Sequence, residues 1–176
     1  RACRHRRARL GPTHRTQVKL TMPHLDIRDA TPDDIATILT LCHAGDSRGK
    51  DTPPLDPASL GDPRYRAAFD AIAADPNQKL VVAERRGEVV GTLQISLIPG
   101  MPAFGMKRGI LENVHIRADQ RGNGLGGQMV EWAIGFCRDA GCGMVQLTSN
   151  KLRADAHRFY RRLGFVQSHE GFKLPL

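Results

Sequence analysis

From residue 25 onward the chain reads as short strands alternating with amphipathic helices. Leu25 and Ile27 alternate with Asp26 and Arg28, the two-residue period of a strand. Thr31-Pro32-Asp33-Asp34 reads as a helix start, with a threonine cap, proline at the first helical position and acids facing the helix dipole. Ile35, Ile38, Leu39 and Cys42 then recur at helical spacing. Residues 45–63 hold three glycines and four prolines and predict a loop. A second helix is expected over 64–74, with Tyr65, Ala68, Phe69 and Ile72 on one face. Residues 79–84 and 88–98 predict two strands joined at Arg85-Arg86-Gly87. Beyond a Gly/Pro/Met-rich loop over 99–109, strands are expected at 110–116 and 144–148 and helices at 124–140 and 154–163, with a final strand from Phe165-Val166. Leu125, Met129, Trp132, Ala133, Phe136 and Cys137 form the inward stripe of the first of these helices. The order predicts one mixed α/β domain.

Charge changes this picture only at the N-terminus. The formal net charge is +8 over 176 residues, but residues 1–21 contain Arg1, Arg4, Arg6, Arg7, Arg9, Arg15 and Lys19 and no acid. The remaining 19 basic and 18 acidic residues nearly cancel, so no nucleic-acid-binding face is expected on the domain. The aperiodic tail 1–21 predicts a disordered or non-native extension, with Met22 opening a domain over 22–176. A nucleic-acid or lipid-binding arm and a transit peptide are its alternatives, the latter weakened by the lack of serine. No apolar run reaches the roughly 18–20 residues of a membrane helix, so no membrane partner is expected. Cys3, Cys42, Cys137 and Cys142 have neither metal-ligand spacing nor a C-x-x-C pair, so no metal is expected and reduced cysteines in the cytoplasm are.

The most informative segment is Arg121-Gly122-Asn123-Gly124-Leu125-Gly126-Gly127, between a predicted strand and a predicted helix. A helix start offers unpaired N–H groups and partial positive charge, and missing side chains let phosphate oxygens approach them. A tight turn that uses glycine for close packing explains the same residues. A Walker A loop requires Gly-Lys-Ser/Thr, which Gly126-Gly127-Gln128 does not supply. Gly122, Gly124 and Gly127 have dinucleotide-fingerprint spacing. The acid required about 20 residues on is missing from Gln146-Leu147-Thr148-Ser149-Asn150. Only 49 residues follow Gly127, too few for that fold.

Two motifs carry a family resemblance. Arg121-Gly122-Asn123-Gly124-Leu125-Gly126 resembles the Gln/Arg-x-x-Gly-x-Gly/Ala signature of the GNAT acetyltransferase superfamily. The segment from Ala154 to Phe165, with Phe159-Tyr160 and Gly164-Phe165, resembles that family's helix after the fifth strand. The resemblance covers about residues 80–170 and implies an acyl-CoA N-acyltransferase fold, a mixed, mostly antiparallel sheet flanked by helices. It implies acetyl-CoA as donor, with the N–H groups of Arg121, Gly122, Asn123, Gly124, Leu125, Gly126 and Gly127 on the diphosphate. The edge of Val114, His115 and Ile116 would pair with the amide-bearing arm, joined by Asn150, whose alternative role is capping its own loop.

An amine of pKa about 10.4 must lose a proton before it attacks. Glu112, an acid in the apolar run Ile110-Leu111-Glu112-Asn113-Val114, is the expected base, its pKa raised by burial; an edge carboxylate paired with arginine is the alternative. Strict alternation puts His115 on the face opposite Glu112. A bulge in this strand would let an N–H near Val114 stabilise the oxyanion. Tyr160, by resemblance, protonates the departing thiolate and also contacts the cofactor; a core aromatic is its alternative. The expected function is acetyl transfer to a primary amine by direct attack. The acceptor is expected to be a small molecule bound between the loops at 45–63 and 99–109, with a protein N-terminus or lysine as the rival. A non-catalytic acyl-CoA sensor is the alternative of another class, and family analogy allows a homodimer.

Overall fold

Residues 24–45 and 53–176 are described by the structure, a computed structural model; the basic tail and the 46–52 part of the expected acceptor loop lie outside them. Strand β1 (Asp26–Asp29) leads through a 3-10 turn (Pro32–Asp34) into α1 (Ile35–Gly45). Asp34 fixes this junction. It is buried, accepts from the Thr31 N–H (2.7 Å) and hydroxyl (3.0 Å), and receives both terminal nitrogens of Arg28 at 2.7 and 3.0 Å. Arg28 Nε reaches Glu84 at 2.8 Å, tying β1 to its neighbour. The Arg28 guanidinium holds the Asp34 carboxyl below its ordinary pKa, against the opposing effect of burial.

A 3-10 segment (Pro57–Gly61) and α2 (Pro63–Ala74) follow, each capped by an aspartate: Asp56 accepts from the Ala58 N–H and Asp62 from the Arg64 N–H. The 3-10 segment occupies part of the expected loop; Pro57 presets φ at its first position. Strands β2 (Gln78–Arg85) and β3 (Glu88–Ile98) form the predicted hairpin. A short turn, α3 (Pro102–Gly105), in which Ala103 and Phe104 take left-handed backbone at φ +52° and +59°, precedes β4 (Lys107–Ile116), which starts earlier than the sequence pattern suggested. A 3-10 turn (Ala118–Gln120), α4 (Leu125–Asp139), β5 (Cys142–Leu147) and α5 (Ala154–Arg162) complete the order.

The five strands lie in sequence order in one sheet, antiparallel except for the parallel β4–β5 pair. One face (Val81, Ala83, Leu93, Ile95, Leu111) packs on Met129, Val130, Ala133 and Cys137 of α4. Trp132 is only partly buried and stacks on Phe136, while Val130, absent from the predicted stripe, is fully buried. A Cβ at Gly109 would lie 2.3 Å from Cys137 Sγ, so glycine there sets how closely α4 approaches β4. Helices α1 and α2 cover the opposite face.

The expected final strand is not present. Phe165 N–H bonds to Tyr160 O at 3.1 Å and Gly164 N–H to Arg161 O at 3.0 Å, with Gly164 at φ +88°. This is a Schellman cap, completed by the Phe165–Tyr160 ring contact at 5.7 Å. Phe165 is consumed in ending α5, and β5 remains the sheet edge.

Candidate active site

Strand β4 carries the site because it departs from regularity once. Thr92 pairs with His115 and Gln94 with Glu112, so Leu93 stands opposite two residues, Asn113 and Val114. That is a β-bulge, and Asn113 adopts φ +51° within it. Asparagine tolerates the left-handed region better than the apolar residues around it. The bulge changes which residues share a face. Thr92 and Gln94 are two apart on β3 and point the same way, so their partners His115 and Glu112 do too. The alternation rule that separated them fails because one residue has been inserted between them.

Glu112 departs from expectation in a second respect: it is exposed rather than buried. Its neighbours on that face are polar. Gln94 lies opposite it, and Gln94 Nε2 (3.0 Å) and Ser96 Oγ (2.8 Å) both donate to Gln78 Oε1. His115 packs on the end of α1, where a Cβ at Gly45 would fall 1.9 Å from its Nδ1.

Just before the bulge, β4 parts from β5. Their pairing ends at Leu111 and Leu147, while β4 continues to Ile116. Arg117 N–H donates to Val90 O at 2.8 Å, so alternation turns the amide groups of Ile116 and Val114 away from β3, toward the open side. The Ile116 carbonyl on that side accepts from Arg121 Nε at 3.0 Å. A wedge lined by strand backbone that β5 does not pair results.

The glycine segment stands at the mouth of this wedge. Gly122 and Gly124 have φ of +80° and +77°, conformations that side chains oppose. The first helical bond of α4 runs from Gln128 N–H to Gly124 O at 3.2 Å, so the N–H groups of Leu125, Gly126 and Gly127 have no intrahelical acceptor. A Cβ at Gly126 would be in ordinary contact with Phe159 at 3.5 Å, and one at Gly127 would meet open space. The turn therefore accounts for Gly122 and Gly124, and the bare helix start for the approach past Gly127. Unpaired N–H groups, the N-terminal dipole and the open β4 edge together fit a diphosphate joined to an amide-bearing chain.

Tyr160 is half-buried in α5, edge-on to Phe159 (5.0 Å) and Phe165. Desolvation pushes its phenol pKa upward, partly opposed by the charge of Arg153. No group among the described residues accepts from its hydroxyl. Asn150 is engaged in its own loop: its Oδ1 accepts from the Leu152 N–H at 2.9 Å and its carbonyl from the Arg153 N–H at 3.0 Å. His157 Nε2 also donates to that carbonyl (3.0 Å), and Arg158 pairs with Asp155, so both have partners within the chain. Among the described residues no group of three or more His, Cys, Asp or Glu is placed to hold a metal, and no helix is long and apolar enough to cross a membrane.

The sequence reading missed Asn113 as the pivot of the bulge, although an asparagine inside a strand run was a visible signal. It also missed the Gln78–Gln94–Ser96 cluster, which only strand register assembles.

Comparison with known proteins identifies the family. The profile of the Acetyltransferase (GNAT) family matches residues 47–165. The aminoalkylphosphonate N-acetyltransferase of Salmonella typhimurium is 31% identical over 160 residues, 88% of this chain and 94% of that protein. The L-methionine sulfoximine/L-methionine sulfone acetyltransferase of Pseudomonas aeruginosa is 30% identical over 139 residues, 79% of this chain and 78% of its own. Among solved structures, a transcriptional regulator from Bacillus halodurans superposes with a TM-score of 0.74 at 38% identity, covering 87% of this chain and 100% of the other. Glucosamine-6-phosphate N-acetyltransferase from Arabidopsis thaliana, at 20% identity and a TM-score of 0.66 over 87% of this chain and 97% of its own, shares the fold. With the profile spanning more than half of the sequence and a relative aligned along nearly all of its length, the chain belongs to the GNAT acetyltransferase family and is an acetyl-CoA-dependent N-acetyltransferase.

Proposed function

We propose that the wedge between β4 and β5 holds acetyl-CoA and that the chain, as a domain over residues 22–176, acetylates the primary amine of a small, acid-bearing molecule. The observation that carries this reading is the end of β4–β5 pairing at Leu111–Leu147 with the glycine segment at the wedge's mouth. Acetyl-CoA supplies an acetyl group activated as a thioester. The N–H groups of residues 122–127 hold its diphosphate, that of Arg121 being engaged with the Ala118 carbonyl at 3.3 Å, and the Val114–Ile116 edge holds its amide-bearing arm, with Asn150 Nδ2 as a further donor. The Val114 N–H, turned to the open side, stabilises charge developing on the reacting carbonyl oxygen. Tyr160, kept neutral by desolvation, donates its hydroxyl hydrogen to the departing sulfur. Glu112 takes the amine proton, directly or through one water, and Gln94 and His115 share its face.

The acceptor class follows from relatives whose substrates combine an amine with an acidic group. Arg108 lies on the Glu112 face by alternation and has no carboxylate partner among the described residues, so it supplies a cation for that acid. Free-thiol release from acetyl-CoA, measured across aminoalkylphosphonates, amino acids and unstructured peptides, tests this. Release with the first two classes and not with peptides is expected. Release with peptides alone overturns the acceptor, and the absence of any thermal upshift with acetyl-CoA overturns the wedge.

A further inference from the structure

The tip of the β2–β3 hairpin meets the 3-10 turn that precedes the glycine segment. Arg85, Arg86, Glu88, Val90, Arg117 and Gln120 line a hollow of about 230 Å³ there. Its charges do not cancel. Arg117 is matched by Asp119 (2.8 Å) and Glu88 (3.1 Å). Arg85 Nη1 donates to Gln120 Oε1 at 2.8 Å, a neutral amide. Arg86 has no carboxylate partner among the described residues. Three guanidinium groups therefore face two carboxylates at one rim, and both carboxylates are held by Arg117 rather than by Arg85 or Arg86.

The backbone adds a second observation. Arg86 and Gly87 have φ of +55° and +79°, the pair of left-handed residues of a two-residue hairpin turn. Asn, Asp or Gly normally fills the first position; arginine there costs on the order of 1 kcal/mol. Arginine thus occupies a position where a smaller residue would relieve the turn. Gln120 links the hollow to the expected diphosphate: its amide spans Arg85 and Asp119, and Arg121 follows it directly.

We propose that Arg85 and Arg86 form a subsite for a phosphate monoester, filled by the 3′-phosphate on the ribose of the coenzyme A whose diphosphate lies on residues 122–127. This rests on the cofactor reading above and extends it to the nucleotide end. A dianion matches two cations, and planar guanidinium forks pair with phosphate through parallel hydrogen bonds. Inorganic phosphate or the phosphonate of an acceptor presents the same chemistry from another source.

Calorimetric titration of the full chain with coenzyme A and with 3′-dephospho-coenzyme A decides. The wild type is expected to bind coenzyme A roughly tenfold more tightly, the size of one charge-assisted contact. Arg85→Gln and Arg86→Asn each reduce that preference, and together they bring it near unity. Asparagine suits the turn, so Arg86→Asn keeps the fold. Equal affinity of the wild type for both forms overturns the subsite and leaves the cofactor reading standing. So does equal affinity accompanied by a raised KM for a phosphonate acceptor in Arg86→Asn, which assigns the cations to the acceptor. Heat from neither form overturns the cofactor reading and the subsite together.

Discussion

Replacing Tyr160 by phenylalanine separates chemistry from packing. The edge-on contacts to Phe159 at 5.0 Å and Phe165 at 5.7 Å survive the change, and so does the core around them. Only the hydroxyl is lost, and no described residue accepts from it. Tyr160→Phe should therefore melt within about 2 °C of the wild type. The catalytic cost follows from relative acidities. A thiol has a pKa of about 8.5 and an ordinary phenol about 10, and desolvation moves Tyr160 further up. Complete proton transfer to a thiolate is then uphill, and what Tyr160 gives best is a hydrogen bond to the charge as it forms. A hydrogen bond to a charged group contributes about 1.5–3 kcal/mol, or roughly 10- to 150-fold in rate. The assay is steady-state thiol release between pH 6 and 10, with donor and acceptor varied in turn. A loss of kcat in that range, with the KM for acetyl-CoA held within about threefold, is expected. The wild-type rate should not decline through loss of this proton below pH 10, because the shift is upward. A folded Tyr160→Phe protein with kcat within twofold of wild type throughout refutes the assignment. A raised KM at constant kcat reassigns Tyr160 to cofactor packing.

Two further substitutions test the framework. Asn113→Val places a β-branched residue at φ +51°, and should cost about 1–3 kcal/mol in melting and more than about tenfold in kcat, whereas Asn113→Gly should keep both; equal melting of Asn113→Val and wild type contradicts the bulge. Asp34→Asn removes the carboxylate shared by Arg28 and Thr31, and with Arg28 part-exposed should cost about 1–2 kcal/mol, or about 2–8 °C, at pH 7. Because Asp34 is acidified in the fold, its contribution is complete above the ordinary carboxylate pKa of about 4 and is lost as pH falls through the lowered value. The gap between the two melting curves should therefore narrow toward pH 3, and an unchanged gap there contradicts the linkage.

The element order was legible because periodicity and punctuation agreed. Thr31-Pro32-Asp33-Asp34 announced α1, Gly141 ended α4, and Gly122 and Gly124 marked a turn that the backbone makes at positive φ. What stayed hidden depends on pairing between distant segments. Alternation assigned Glu112 and His115 to opposite faces because it counts residues along one strand, and only the partner strand reveals that Leu93 faces two of them. Glu112 looked buried from its apolar neighbours Ile110, Leu111 and Val114, yet β5 stops at Leu147 and leaves that part of β4 uncovered. Phe165-Val166 looked like a strand because a Schellman cap needs the same apolar residue after glycine that a strand start offers.

The features hidden in β4 share one cause. A parallel pair has evenly spaced, slanted hydrogen bonds, and it persists only while both strands keep a common twist. The bulge at Asn113 bends β4 two residues beyond its last partner on β5, so the ladder cannot resume even though β4 continues for three more residues. The same insertion brings Glu112 and His115 to one face and leaves Val114 and Ile116 with amide groups directed at the gap. Opening the cleft, aligning the polar face and exposing the backbone donors are thus one structural event. A substitution that straightens β4 should weaken donor binding and turnover together, whereas changes in the glycine segment should weaken donor binding first.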